Sequence, residues 1–368
     1  MWTMEKILKG ARKYGASDVH LIRGLSPAFR VNGEIRLIEG EPLDEASLRE
    51  MTNGLMNERQ RAIFDREWQL CFSRYWDGVG RCRASIYLHA GIPEMAIRLC
   101  ETTVRGREVL GLPPVIDELA RLPNGLILVT GATGNGKTTT LNYLVDTINR
   151  GRRAKIITIE DPVEYVHENR NSIVVQQEVL TDVPSFQKAL THVLRQDPDV
   201  VVIGEMRDLE TVSTALTAAE TGHLVLATLH TPDVVQTIQR IFSVFPHEQQ
   251  NNIMYQLANT LQAVLAQRLL PRADGKGLVL ACEIGIATPA VRKRIREGEP
   301  HLLFSEMQMG RKHQMQTIDM ALLDLYQRGE ISYDTALSNA HEPGTIRERS
   351  AGASSRGRGL RGEDENAG

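Results

Sequence analysis

The chain has 368 residues, 42% hydrophobic and 24% charged, which is ordinary for a globular protein and long enough for about two domains with real cores. Its 43 Lys and Arg against 46 Asp and Glu leave a formal charge of −3, so bulk attraction to nucleic acid or anionic membrane is excluded. Aromatics are only 5%, too few to suggest a base-stacking platform.

From the N-terminus, the charges at Glu5, Lys6 and Lys9 come too early for a signal-peptide apolar core. No apolar run approaches the ~20 residues that span a bilayer, and the expectation is a soluble cytoplasmic protein. Trp2, Ile7, Leu8 and Ala11 are helically spaced, and Gly15-Ala-Ser-Asp18 ends that pattern. Short strands are predicted over 19–22, 28–31 and 35–38, with Asn32-Gly33 as a hairpin turn, then one charged helix over 48–67. Further strands are predicted near 69–73, 80–88 and 95–100, so residues 1–100 read as a small α+β domain. Cys71, Cys82, Cys100 and Cys282 form no C-x-x-C pair, which supports neither a zinc module nor a redox motif.

Residues 101–114, with Gly106, Gly111, Pro113 and Pro114, read as a linker. From Ile116 strands and helices alternate, the signature of a parallel sheet with crossover helices. Its strands are predicted over 126–130, 155–159, 200–203, 224–228 and 278–284, giving an α/β core over 115–288. A helical segment follows over 289–342. Residues 343–368, rich in Gly, Ser, Arg and Glu, are expected to be a disordered tail.

The core opens on Gly131-Ala-Thr133-Gly134-Asn135-Gly136-Lys137-Thr138, which fits G-x-x-x-x-G-K-[ST] between an apolar strand and a helix. Glycines there let the backbone approach phosphates closely, and the loop N–H groups converge on them with the N-terminus of the helix. Lys137 can reach the β- and γ-phosphates, the Thr138 hydroxyl can sit on Mg²⁺, and Thr133, Asn135 and Thr139 complete the loop. Downstream, Ile159-Glu160-Asp161-Pro162-Val163-Glu164 delivers carboxylates to the end of a strand, where one can orient water. Val200-Val-Val-Ile203-Gly204-Glu205 is an apolar strand ending in an acid that can hold Mg²⁺. His223 and His230 bracket the next strand and stand too far apart for one metal. His230 lies at the strand's C-terminal, nucleotide end, and His223 reads as a supporting or interface residue.

Together, Gly15-Ala-Ser-Asp-Val-His-Leu21, the phosphate loop, Ile159–Tyr165, Val202–Glu210, Ala218–His223 and Thr228–Thr231 resemble the secretion and type IV pilus ATPase family. Within it they are most similar to the retraction ATPases of twitching motility, over about residues 5–340. The resemblance implies a PAS-like N-terminal domain, a RecA-like ATPase core with a helical C-terminal segment, and a homohexamer at an inner-membrane platform protein of the pilus base. It also implies ATP and Mg²⁺ as cofactors, Glu164 as base for water, Glu205 as the Mg²⁺ acid, and His230 as the nucleotide-side histidine. Arg81, Arg83 and Arg98 match the family's arginines that reach the phosphates.

Asn135 stands where the family commonly has serine. Lys293-Arg294 replaces Asn-Leu in a helix resembling a retraction motif, whereas Met315-Gln316-Thr317 and Asp319 follow the retraction branch. Other readings stay open: an accessory retraction paralogue, a pilus-assembly or secretion ATPase, a DNA-translocating ATPase, or a regulator that binds ATP without hydrolysing it. The lack of a four-cysteine zinc module argues against an assembly ATPase. Intact Glu164 and Glu205 argue against the regulator, and the acidic balance argues against DNA.

Overall fold

The computed structural model describes residues 2–31, 33–100 and 103–348. In chain order it has α1 (Met4–Lys13), β1 (Asp18–Leu21), β2 (Ala28–Val31), β3 (Glu34–Leu37), α2 (Glu45–Leu55), α3 (Glu58–Glu67), β4 (Gln69–Trp76), β5 (Gly80–His89) and β6 (Ile92–Leu99). Next come α4 (Arg107–Leu110), α5 (Val115–Leu119), β7 (Gly125–Thr130), α6 (Lys137–Gly151), β8 (Lys155–Glu160), β9 (Ile173–Glu178), α7 (Phe186–Val193), β10 (Val200–Ile203), α8 (Leu209–Glu220) and β11 (Leu224–Leu229). The chain continues with α9 (Val234–Ser243), α10 (His247–Thr260), β12 (Leu261–Pro271), β13 (Leu278–Ile286), α11 (Pro289–Arg296), α12 (Leu303–Met309), α13 (Ile318–Gln327) and α14 (Tyr333–Asn339).

Contacts gather these elements into two compact units, residues 1–104 with 155–196, and 105–154 with 197 onward. Residues 155–196, which lie inside the 115–288 block expected from the alternating pattern, group by their contacts with the first unit. The first unit holds an antiparallel sheet in the order β3-β2-β1-β6-β5-β4. Thr3 caps α1 through its side chain, and the i, i+1, i+4 set Ile7, Leu8 and Ala11 is fully buried with Val19, Ile86 and Met95. The single helix expected over 48–67 is two helices. Asn57 accepts from the Gln60 amide at 2.8 Å and donates to the Gln60 side chain at 3.0 Å. That capping box starts α3 afresh. Asn32 of the expected hairpin turn lies outside the described residues. The same unit carries β8 and β9 as a parallel pair.

In the second unit β10, β11, β7 and β12 pair in parallel in that order, and β13 closes the edge antiparallel to β12. Every residue of β7, β10 and β11 is buried, which is why each reads as an unbroken apolar run. Strand β12 escapes sequence reading because it follows α10 with no turn residue between Thr260 and Leu261. The expected linker contains α4, closed by Gly111 in the left-handed region at φ +66°.

Order extends past Pro343. Residues 343–348 are helical, and Ile346 is fully buried in a cluster with Leu322, Leu325 and Ala336. The expected disorder from 343 is corrected to that extent, because one apolar side chain finds a pocket built by α13 and α14; residues 349–368 lie outside the described residues. Ile346→Ala should lower the unfolding free energy by about 2–4 kcal/mol in a denaturant titration. A change under about 0.5 kcal/mol would show that this contact does not form.

Candidate nucleotide site

The phosphate loop is shaped by backbone constraints. Gly131 leaves β7 at φ +138°, and a Cβ there would stand 2.4 Å from the Gln267 carbonyl oxygen of β12, a contact no side chain tolerates. Gly136, at φ +79°, is the N-cap of α6. Asn135 has its own function in this position: its side-chain oxygen accepts from the Leu269 amide at 3.2 Å, fastening the loop to β12. Helix α6 has no side-chain cap and no acidic residue in its first turn, so its leading N–H groups remain available to an anion. Thr133 and Gly134 are exposed, and Thr138 and Thr139 are half-buried on the first turn of that helix.

Lys137 is buried and folds back on the loop, donating to the carbonyls of Gly131 at 2.8 Å and Ala132 at 3.0 Å. Burial lowers its pKa, and the charge of Glu205 partly opposes that. His230 bridges the two groups: its Nδ1 lies 3.4 Å from the Lys137 ammonium and its Nε2 3.0 Å from Glu205 Oε1. An ammonium has only donors, so Nδ1 accepts and Nε2–H donates. Arg207 donates to the other Glu205 oxygen at 2.7 Å. Burial alone would raise the Glu205 carboxyl, but the hydrogen bonds from Arg207 and His230 and the charge of Arg207 outweigh it and hold the pKa low. The turn carrying Glu205 is sewn to β11, since Thr228 donates to the Gly204 carbonyl and the Met206 amide donates back to Thr228 at 3.0 Å. His223, at the other end of β11, packs on the C-terminus of α8 with its Nδ1 2.9 Å from the Ala218 carbonyl.

This unit therefore brings Lys137, Glu205 and His230 together on the phosphate loop. Among the described residues no group of three or more His, Cys, Asp or Glu preforms a metal site. One carboxylate and one hydroxyl, Glu205 and Thr138, are nonetheless the hard oxygen donors that suit Mg²⁺ completed by substrate phosphates and water.

The first unit holds the other expected residues. Glu160 is buried and accepts from Thr158 at 2.6 Å and Gln176 at 3.1 Å, and burial raises its pKa. Glu164 is half-exposed, with Arg83 3.6 Å away. Arg83 and Arg98 are cross-strand partners, and Arg98 pairs with Asp18 at 2.9 Å. Arg81 is committed elsewhere, donating to Ser73 at 2.6 Å and to Glu178 at 2.7 Å. Of the three arginines, only Arg83 stands beside an expected catalytic group.

Glu178 carried no motif. It is fully buried and accepts from the Ser73 amide and hydroxyl, Arg81, the Val163 amide at 3.1 Å and the Thr181 hydroxyl at 2.9 Å. Val163 immediately precedes Glu164, so this carboxylate ties the acidic turn to the strands that carry Arg81 and Arg83. Burial would raise the Glu178 pKa, but the bonds from Ser73 and Arg81 and the Arg81 charge prevail and lower it. The one visible sequence signal is a carboxylate ending the polar run Gln176-Gln177-Glu178.

Three comparisons bear on this geometry. The family described as type II/IV secretion system protein matches residues 113–321. The type IV pilus retraction ATPase PilT of Pseudomonas aeruginosa is 41% identical over 338 residues, covering 92% of this chain and 98% of that protein. The type IV pilus ATPase PilU of the same organism is 39% identical over 343 residues, covering 93% and 90%. Among solved structures, the pilus retraction motor PilT with bound ADP superposes with a TM-score of 0.88 at 41% identity, covering 95% of this chain and all of that one.

Glu178→Ala should cost about 3–5 kcal/mol at pH 7, the range for stranding one partner of a buried ion pair. With a depressed folded-state pKa, the ionic contribution is fully present above the unfolded value of about 4.3 and is lost as pH falls through the folded value. The gap between the denaturant midpoints of wild type and variant should therefore narrow as pH falls below about 4. Equal midpoints at pH 7 would show that the network contributes nothing.

Proposed function

Because the chain belongs to the type II/IV secretion system protein family, we propose that it is an ATP-hydrolysing motor that drives type IV pilus retraction and twitching motility. The observation that carries the ATPase reading is the meeting of Lys137, Glu205 and His230 on an uncapped, glycine-shaped phosphate loop. The near full-length likeness to PilT directs that activity to pilus retraction.

In this reading the loop amides and the α6 N-terminus bind the phosphates, and Lys137 exchanges two loop carbonyls for phosphate oxygens. That exchange is favourable, because neutral acceptors give way to an anion beside a partly desolvated cation. Thr138 and Glu205 would hold Mg²⁺, which supplies charge neutralisation on the phosphates. His230 reports the γ-phosphate to Glu205 through their hydrogen bond. Glu164 is the base that orients water, with Arg83 holding its carboxylate ready, and Arg98 is a second candidate for phosphate charge. The working assembly is a homohexamer acting in the cytoplasm against an inner-membrane platform protein, with the N-terminal antiparallel sheet read as PAS-like and the second unit as a RecA-like core. No described helix is long and apolar enough to cross a membrane.

The accessory-paralogue reading rests on one observation, the Lys293-Arg294 pair in α11. Arg294 is absorbed locally by Glu299 at 2.9 Å and Glu306 at 3.1 Å, which weakens any functional weight placed on it.

Purified protein should turn over ATP, and Glu164→Gln should lower kcat by about 10²–10⁴ while ADP still binds. Lys137→Ala and Glu205→Ala should be nearly inactive. A deletion strain should be hyperpiliated and unable to twitch; bald cells would indicate assembly instead, and an inactive wild-type hexamer would end the motor reading.

A further inference from the structure

Glu283 of β13 is buried, yet no motif includes it and no step above uses it. Its two oxygens are divided between two helices. One accepts from the Val234 amide at 2.8 Å and the other from the Ile318 amide at 3.1 Å. Val234 and Ile318 are the first residues of α9 and α13, so the carboxylate sits between two helix N-termini, where orphan N–H groups and the helix dipoles favour an anion. Both helices already have their own side-chain caps, Asp233 and Thr317. The Glu283 contacts are therefore additional to ordinary capping, and what they add is a link between elements.

The two elements lie in different parts of this unit. Helix α9 begins four residues after His230, and its Thr237 hydroxyl contacts both Thr231, 2.7 Å away, and Thr130 at the mouth of the phosphate loop, 3.4 Å away. Helix α13 opens the last part of the C-terminal helical segment. Gln316, just before it, pairs with Ile284 of β13 through both backbone bonds, at 2.7 and 3.1 Å. Gly285, next along β13, lies so close to α9 that a Cβ would stand 2.8 Å from the Val234 side chain. Strand, nucleotide-side helix and C-terminal helix thus share one tight junction with the Glu283 carboxyl group at its centre.

We propose that Glu283 is a positioning residue that couples the His230 loop to α13, so that nucleotide contacts at His230 are felt by the C-terminal helices. The proposal rests on the ATPase reading. It acts through the two amides: a displacement of the segment 230–234 moves the Val234 donor, and the shared carboxylate carries that displacement to the Ile318 donor. A glutamine in its place keeps the volume but presents one acceptor and one NH₂ group, so one helix terminus must lose its bond.

Hydrogen exchange with ADP and Mg²⁺ tests this. In the wild type, nucleotide should raise protection of residues 131–138 and also alter exchange over 318–327. Glu283→Gln should keep the first response, with the ADP affinity within about threefold of wild type, lose the second, and lower kcat about tenfold at little changed KM. An undiminished 318–327 response in the variant, or none in the wild type, overturns the coupling. Absence of any response at 131–138 in the wild type overturns nucleotide binding itself, and the coupling with it. Ile318→Pro removes the donor instead of the acceptor at a helix position where proline is accepted. It must reproduce the loss, and it decides the matter should Glu283→Gln fail to fold.

Discussion

The carboxylate of Glu178 has no contact with water, and a charge in that position is tolerable only when donors surround it. Meeting that requirement organises the first unit. Strands β4 and β5 must pair in the register that sets Tyr75 against Arg81 and Ser73 against Arg83, so that Ser73 and Arg81 arrive together. Strand β9 must lie parallel to β8 with Glu178 opposite Glu160, and the turn after β8 must bend until the Val163 amide points at the same oxygen that receives Arg81. The position of Glu164 beside Arg83 follows from these bonds. A residue outside every motif thus holds in place one that a motif singles out.

In the second unit the corresponding constraint is steric. The phosphate loop is pressed on β12 so closely that only hydrogen fits at the Gly131 α-carbon, and Asn135 reaches the same strand two residues further along. A loop pinned at two points pays little conformational entropy on binding its anion. Lys137 occupies loop carbonyls, His230 and Glu205 satisfy each other, and Arg207 closes the remaining oxygen. These groups are held in a mutually neutralised cluster that phosphate charge would reorganise.

Departures from the family pattern acquire local reasons in the same way. Asn135 in place of serine gains a backbone bond to Leu269. Arg294 gains Glu299 and Glu306, while Lys293 pairs across one helical turn with Glu297 at 3.7 Å on a solvent-facing surface, where such a pair contributes little. Neither change touches Lys137, Glu205 or His230.

What the sequence by itself determined is whatever a few neighbouring residues encode. The buried parallel strands, the phosphate loop, the acid after β10 and the histidine after β11 are each legible because apolar runs and glycine positions are local patterns. The split of the 48–67 helix was also local, a capping box at Asn57 and Gln60 that the charged run concealed. Strand β12 and the regrouping of residues 155–196 were not legible, since neither has a local boundary signal. Only the tertiary structure decided that Arg81 serves Glu178 and that Glu283 joins two helices. Ser73 and Arg81 reach Glu178 from 105 and 97 residues away, and the two amides on Glu283 come from 49 and 35 away. No short-range periodicity reports such pairings; they exist because burying a carboxylate obliges the fold to bring distant donors to it.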